Sequence, residues 1–135
     1  MGIIPETIRI LSADDHPILR EGVGALIASQ RDMRLVAEAS TGREAVEQFR
    51  SHRPDITLMD LQMPDMSGID AIIAIRSEFP DARIIVLTTY AGDDLCRRAM
   101  QAGAVAFLGK PFSDDELLQT VRSALTHFRD GATSK

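Results

Sequence analysis

Short apolar runs of strand length alternate with amphipathic stretches of helix length along most of this chain. The apolar runs carry many β-branched residues and little polar alternation, which is typical of strands that are covered by helices on both faces. A half-exposed antiparallel sheet would alternate polar and apolar residues instead. The predicted strands are Ile8 to Ala13, Leu35 to Ala39, Ile56 to Met59, Ile84 to Leu87 and Val105 to Leu108.

Strand–helix pairs in this order predict an α/β fold with an open, doubly wound parallel sheet and right-handed crossovers. Two helix starts match the capping box, at Thr41 to Glu44 and at Ser113 to Glu116. The apolar stripe of the last helix ends at Phe128. Residues 1–128 are therefore predicted to form one domain, and residues 129–135 to be a tail or the start of a linker.

The amino-acid composition limits the classes of protein to which this chain can belong. The 135 residues can bury a core without disulfides, and Cys96 is the single cysteine. The chain has 15 Lys plus Arg against 20 Asp plus Glu, a net charge of -5, so we expect no direct nucleic acid contact by this segment. Its first residues lack the long apolar stretch of a signal peptide or membrane helix, so a cytoplasmic protein without membrane contact is expected.

Chemically active residues follow the predicted strands at their carboxyl ends. Asp14 and Asp15 follow the first strand, Asp60 the third, Thr88 the fourth and Lys110 the fifth. In a doubly wound sheet these ends form one ligand-binding edge, so the side chains should meet there. Three carboxylates would repel one another, and a hard divalent cation that prefers oxygen ligands would relieve the repulsion. The sequence thus predicts a Mg²⁺ site.

A carboxylate beside a metal ion can act as a nucleophile and form an acyl-phosphate. Asp60 is the predicted nucleophile because it stands alone at the central strand, whereas Asp14 and Asp15 are paired and better placed to hold the metal. Lys110 would supply a compact positive charge for phosphate. Thr88 would donate a hydroxyl hydrogen bond to a phosphate oxygen.

Four segments resemble the receiver domain of two-component response regulators: "SADDHPILREGVGAL", "DITLMDLQMPDMSGIDA", "IIVLTTY" and "GAVAFLGKPF". The similarity runs from about Ile8 to Phe128, and the first two thirds look like NarL/FixJ-type transcription regulators, whereas "LGKPF" is closer to FixJ or chemotaxis-type receivers. The resemblance implies the CheY-like, flavodoxin-like (βα)5 fold with strand order 2-1-3-4-5.

The resemblance also implies that Asp60 accepts a phosphoryl group from a sensor histidine kinase. Asp15 and Asp60 would then bind Mg²⁺ directly, Asp14 largely through water, and the backbone carbonyl of Gln62 would be a further ligand. Lys110 would be the phosphate-binding lysine. Such a domain is a signalling phosphoacceptor rather than an enzyme with a separate substrate, although it assists its own phosphorylation and dephosphorylation.

The same resemblance implies which residues change conformation on phosphorylation. Thr88 aligns with the switching hydroxyl and Phe107 with the aromatic switch, and Pro111 would follow a cis peptide bond. Phosphorylation is then expected to change a partner surface and to favour a homodimer.

Several alternatives remain open at the level of sequence. The chain is expected to be the N-terminal part of a transcriptional regulator, with a stand-alone receiver as the alternative. A degenerate receiver that acts only as a docking module would not explain why every required residue is present. A Mg²⁺-dependent phosphohydrolase would need an aspartate where Gln62 stands, and a nucleotide-binding oxidoreductase would need a G-x-G-x-x-G turn where "SADDHP" stands. His16 is predicted to have a structural or surface role, because no other histidine lies at chelating spacing.

Overall fold

The structure, a computed structural model, describes residues 7–89 and 93–133, with side chains in these ranges except for residue 93 and residues 126–133. Strands and helices alternate throughout, and all strand pairings are parallel in one five-stranded sheet of order β2-β1-β3-β4-β5. The predicted fold class and strand order are confirmed. The elements are β1 (Ile8–Ala13), α1 (Pro17–Ala28), β2 (Met33–Ala39), α2 (Gly42–His52), β3 (Ile56–Asp60), α3 (Gly68–Glu78), β4 (Ile84–Thr88), α4 (Asp93–Ala102), β5 (Ala106–Gly109) and α5 (Asp114–Thr133).

The sheet lies between two layers of helices, and each layer has its own apolar core. Successive residues of a strand point to opposite faces, so Leu58 and Met59 enter different cores. The core that contains Met59 also includes buried residues of α2, α3 and α4, such as Phe49 and Ile72. The other core includes buried residues of α1 and α5. Two covered faces explain why the strands lack polar alternation.

Strand β3 occupies the centre of the sheet, and all of its residues are buried. Its register aligns Met59 with Ala13 of β1 and Asp60 with Leu87 of β4. Farther along the sheet, Thr88 is aligned with Gly109. This register brings the carboxyl ends of β1, β3, β4 and β5 to one edge.

Helix starts follow the predicted capping chemistry with one difference. The Thr41 hydroxyl accepts a hydrogen bond from the Glu44 N–H, but the Glu44 carboxylate accepts from the N–H of Ser40 rather than from that of Thr41. At α5 the box is reciprocal, with Ser113 and Glu116 each bonded to the other's N–H. These bonds satisfy donors that the first helical turn leaves unpaired.

Element bounds differ slightly from those predicted. β2 begins at Met33, two residues earlier, and β5 is displaced by one residue toward Gly109. Helix α5 continues to Thr133, past the point where the apolar stripe ends at Phe128. A helix keeps its backbone hydrogen bonds without an apolar stripe, so the end of the pattern did not mark the end of the helix. That a tail or linker begins at residue 129 stays a prediction about domain organisation.

Candidate metal centre

Three carboxylates meet at the carboxyl edge of the sheet. Asp60 is the last residue of β3, and Asp14 and Asp15 directly follow β1. Asp14 and Asp60 are buried, with 3% and 1% of their side chains exposed, whereas the Asp15 side chain is 34% exposed. One ligand atom from each, together with a ring nitrogen of His16, lies within 4.8 Å of every other in the group. The predicted convergence of acids is therefore present in the structure.

Lys110, which directly follows β5, faces two of these acids. Its Nζ lies 2.9 Å from Asp14 Oδ2 and 3.6 Å from Asp60 Oδ1. Its backbone N–H donates to the carbonyl of Thr88 at 2.7 Å, so the pairing of β5 with β4 sets its position. The Lys110–Pro111 peptide bond, for which the resemblance implied cis geometry, is cis.

Asp14 and Asp60 have opposite electrostatic environments. Burial raises the pKa of the Asp60 carboxyl above its ordinary value, and the nearby Lys110 ammonium offsets this only in part. Burial would also raise the pKa of Asp14, but the hydrogen bonds from Lys110 and His16 outweigh it and hold that pKa below its ordinary value. Asp14 is thus a stabilised anion, while the anionic form of Asp60 is disfavoured.

Two buried carboxylate oxygens in the group have no hydrogen-bond donor among the described residues: Asp15 Oδ1 and Asp60 Oδ2. The other Asp60 oxygen accepts from the backbone N–H of Gln62 at 3.3 Å. Buried carboxylate oxygens without donors suit a cation, and an all-oxygen donor set suits Mg²⁺. The residues present therefore fit this ion. That the Gln62 carbonyl is a ligand stays a prediction.

His16 lies closer to the acids than the sequence suggested. Its Nδ1 is 2.7 Å from Asp14 Oδ1, 3.3 Å from Asp15 Oδ1 and 3.7 Å from Asp60 Oδ2. The hydrogen bond with Asp14 raises the pKa of His16 above its ordinary value. The spacing of histidines along the sequence does not indicate this arrangement, because the neighbours of His16 are carboxylates at the ends of two strands.

Arg20 is a further neighbour that sequence reasoning missed. Its guanidinium donates to the backbone carbonyl of Asp14 at 2.7 Å, while the Asp14 N–H donates to the Ala39 carbonyl at 2.9 Å. The backbone of Asp14 is therefore held from α1 and from β2. The indication in the sequence is the spacing of four residues between His16, the N-cap of α1, and Arg20 in its first turn, which places the two residues on one side of the helix start.

The two predicted switch residues lie differently with respect to the acids. Thr88 is fully buried at the end of β4 and pairs through its carbonyl with Lys110. Phe107 lies on β5 opposite Val86, and 44% of it is exposed. The structure thus brings Thr88 to the edge that carries the acids and leaves Phe107 largely open to solvent.

The geometry and the sequence agree with one family of proteins. The model of the response regulator receiver domain matches residues 10–122. The chain belongs to this family. A receiver domain is a signalling domain, and the predicted family is therefore confirmed.

Several proteins similar to this receiver are response regulators or carry transcriptional-regulator names. The uncharacterized transcriptional regulatory protein YhcZ of Bacillus subtilis is 43% identical over 113 residues, which cover 84% of this chain and 53% of that protein. A LuxR-family response regulator from Aurantimonas is 38% identical with a TM-score of 0.86, covering 90% of this chain and 87% of that one. The receiver domain of a putative NarL from Mycobacterium tuberculosis is 33% identical with a TM-score of 0.86, covering 90% and 98%.

The chain spans about half the length of the curated relatives it matches. Within the described residues, none of the helices is both long enough and apolar enough to cross a membrane.

Proposed function

We propose that this receiver accepts a phosphoryl group from a sensor histidine kinase onto Asp60 in a Mg²⁺-dependent reaction, and that this switches a partner surface. The observation that carries the proposal is the Asp60 carboxylate: it is buried, its Oδ2 has no donor among the described residues, and Lys110 lies beside its other oxygen. An acid of this kind has a free lone pair and a cation for the incoming group.

The proposed transfer is a displacement at phosphorus. A carboxylate oxygen of Asp60 attacks the phosphoryl group of the donor's phosphohistidine, the new O–P bond forms as the N–P bond breaks, and the histidine nitrogen leaves with the electron pair. Lys110 Nζ, 3.6 Å from Asp60 Oδ1, is placed to neutralise a phosphoryl oxygen. Lys110 also stays bonded to Asp14, which keeps its ammonium at this edge.

Asp15 and Asp60 would hold Mg²⁺ directly, with Asp14 acting through water and the Gln62 carbonyl as a further ligand. The bound ion would neutralise charge on the phosphoryl oxygens and keep the group in line for displacement. Three carboxylates and one ammonium leave a formal charge of about -2, which one divalent ion balances. The donor-free oxygens of Asp15 and Asp60 support this assignment.

The switch would use Thr88 and Phe107. The hydroxyl of Thr88 would turn toward the phosphoryl oxygens, and the exposed ring of Phe107 would move into the space that this opens, changing the surface of α4, β5 and α5. This is a shift between two pre-existing populations, limited by how differently each interacts with the phosphoryl group. The 44% exposure of Phe107 supports it, because the ring is not locked into the core.

We assign the chain to the N-terminal part of a transcriptional regulator. Support comes from the relatives, which carry transcriptional-regulator names and are about twice as long as the matched segment. The output would then depend on a part of the protein outside this chain.

The test is phosphoryl labelling with acetyl phosphate as the donor. The wild-type protein with Mg²⁺ should be labelled on one residue, and Asp60→Asn should abolish the label because the amide is a poor nucleophile. Chelation of Mg²⁺ should have the same effect. The matched control is Asp81→Asn, which removes an exposed acid and should leave labelling unchanged. Stoichiometric labelling of Asp60→Asn would contradict the proposal.

A further inference from the structure

The ring of His16 faces the same carboxylate oxygens that lack hydrogen-bond donors. Its Nδ1 is 3.3 Å from Asp15 Oδ1 and 3.7 Å from Asp60 Oδ2, and both oxygens are buried atoms without a donor in the described part of the chain. The backbone of His16 is held by its N–H, which donates to Asp14 Oδ1 at 2.9 Å, and by its carbonyl, which accepts from the Arg20 N–H, while the ring is held by the 2.7 Å contact of Nδ1 with Asp14 Oδ1. The ring itself is 56% exposed, so core packing does not explain its position.

These separations suit ligands of one metal ion. Metal–ligand bonds of about 2.1 Å place neighbouring ligand atoms about 3 Å apart, close to the observed distances from Nδ1 to the two oxygens. Imidazole nitrogen is a poor ligand for Mg²⁺ but a preferred one for Zn²⁺, Ni²⁺ and Cu²⁺. A carboxylate pair with an added imidazole is therefore a donor set for a borderline transition metal.

We infer that His16, with Asp15 and Asp60, forms a mixed nitrogen and oxygen site for a divalent transition-metal ion that competes with Mg²⁺. The inference rests on the proposed function only in that both ions would use the same carboxylates. Mg²⁺ binds through the oxygens and leaves His16 Nδ1–H on Asp14, whereas the transition metal takes the neutral tautomer protonated on Nε2, whose unprotonated Nδ1 leaves Asp14 to bind the ion. Because the two ions use the same carboxylates, a receiver loaded in this way lacks Mg²⁺ and should accept a phosphoryl group poorly from a donor that requires Mg²⁺.

The test compares two metals in calorimetric titrations of untagged protein, in a buffer alkaline enough to keep imidazole neutral. Replacing His16 by asparagine (His16→Asn) should weaken Ni²⁺ binding at least about tenfold, since even indirect partners of metal ligands contribute that much. Mg²⁺ affinity should change far less. The matched control is His52→Asn, because His52 lies at the end of α2 and bonds the Gln48 carbonyl. It should leave both affinities unchanged.

Two results would overturn the inference. Unchanged Ni²⁺ affinity in His16→Asn would show that the imidazole is not a ligand. An equal loss of Ni²⁺ and Mg²⁺ affinity would show that His16 acts only by positioning Asp14. His16→Gln serves as a second variant should His16→Asn fold poorly by circular dichroism.

A spectroscopic readout separates this inference from the proposed function. Electron paramagnetic resonance of the Cu²⁺-loaded protein should show nitrogen coupling that disappears in His16→Asn and persists in His52→Asn. This measurement does not depend on phosphorylation, so a failure to label Asp60 would leave it intact. Conversely, absence of nitrogen coupling in the wild-type protein would reject the His16 ligand while leaving the labelling experiment unaffected.

Discussion

At the scale of single residues, the site depends on two aspartates with opposite roles. Asp14 accepts hydrogen bonds from Lys110 and His16, and its pKa is lowered, so its charge is already compensated. Burial raises the pKa of Asp60, which has only the Gln62 N–H on one oxygen and no donor on the other among the described residues. The acid that is least stabilised is the one proposed to react. An unfavourable electrostatic environment of this kind is common for residues of functional sites.

Asp60→Asn should therefore stabilise the Mg²⁺-free fold, by about 0.5–2 kcal/mol at neutral pH. Because the pKa of Asp60 is raised by folding, its ionised form lowers stability at neutral pH, and this cost is lost as the pH falls toward the ordinary aspartate value of 3.8. The advantage of the variant should shrink over the same range. Urea denaturation in a chelating buffer measures it, and a variant less stable than the wild type at neutral pH would contradict the argument.

Sequence reasoning located the acids and Lys110 because strand ends in a parallel sheet converge whatever the loops do. It could not locate His16 or Arg20, whose contacts depend on how the first turn of α1 is seated beside β1. Spacing along the chain carries little information about such contacts. The exposure of Phe107 was equally hidden, since an apolar residue on a short strand is usually buried.

At the scale of elements, the junction between β3 and α3 fixes the surroundings of Asp60. A Cβ atom on Gly68 would lie 2.3 Å from the Asp60 carbonyl oxygen, and the Gly68 N–H donates to the Leu61 carbonyl. The Ser67 hydroxyl accepts from the Asp70 N–H and caps the helix. The start of α3 is thus in direct contact with the end of β3.

Gly68→Ala should push α3 away from this strand end and lower the free energy of unfolding by roughly 1–3 kcal/mol. It should also weaken Mg²⁺ binding, because the displaced loop carries Gln62. The matched control is Gly22→Ala in α1, where no atom beyond the adjoining helix backbone lies within 4 Å of the added Cβ. Alanine there should stabilise the protein by about 0.5–1 kcal/mol. Equal effects of both substitutions in thermal denaturation and Mg²⁺ titration would reject the close contact.

Replacement of Phe107 and of Phe49 by alanine should change the free energy of unfolding by different amounts. Phe107→Ala should cost about 1 kcal/mol or less because the ring is 44% exposed. Phe49→Ala should cost roughly 3–5 kcal/mol because that ring is 4% exposed and packs against Phe79 with centroids 5.0 Å apart. Chemical denaturation of both variants checks this. A large loss of stability in Phe107→Ala would mean that the ring is fixed in the core and would remove support for its role in the switch.

At the scale of the whole molecule, alternation of strands and helices was sufficient to predict three layers and a single sheet. Both faces of that sheet are covered, which leaves few arrangements for five parallel strands. The element ends were less certain, since the start of β2 and the length of α5 depend on hydrogen bonds rather than on apolar patterning. The strand order itself came from the family resemblance and not from periodicity.

Activation should change the assembly of the molecule. Sedimentation velocity with Mg²⁺ should show a monomer that shifts toward a dimer when beryllofluoride, a stand-in for the phosphoryl group, is added. Thr88→Ala should reduce this shift because the buried hydroxyl at the end of β4 is the proposed link to the surface. A wild-type protein that stays monomeric would reject the dimer, and a Thr88→Ala protein that dimerises normally would reject the switch.

The central position of β3 determines how phosphorylation of Asp60 can affect the rest of the molecule. The strand is paired on both sides and covered on both faces, so its amide protons should be among the last in the protein to exchange with deuterated solvent. A strand held in this way cannot slide or bend appreciably when one of its carboxyl groups is modified. The effect of phosphorylation must therefore reach the surface through rotation of side chains and through the loops that follow the strands at this edge. The backbone of β3, which carries Asp60, stays still.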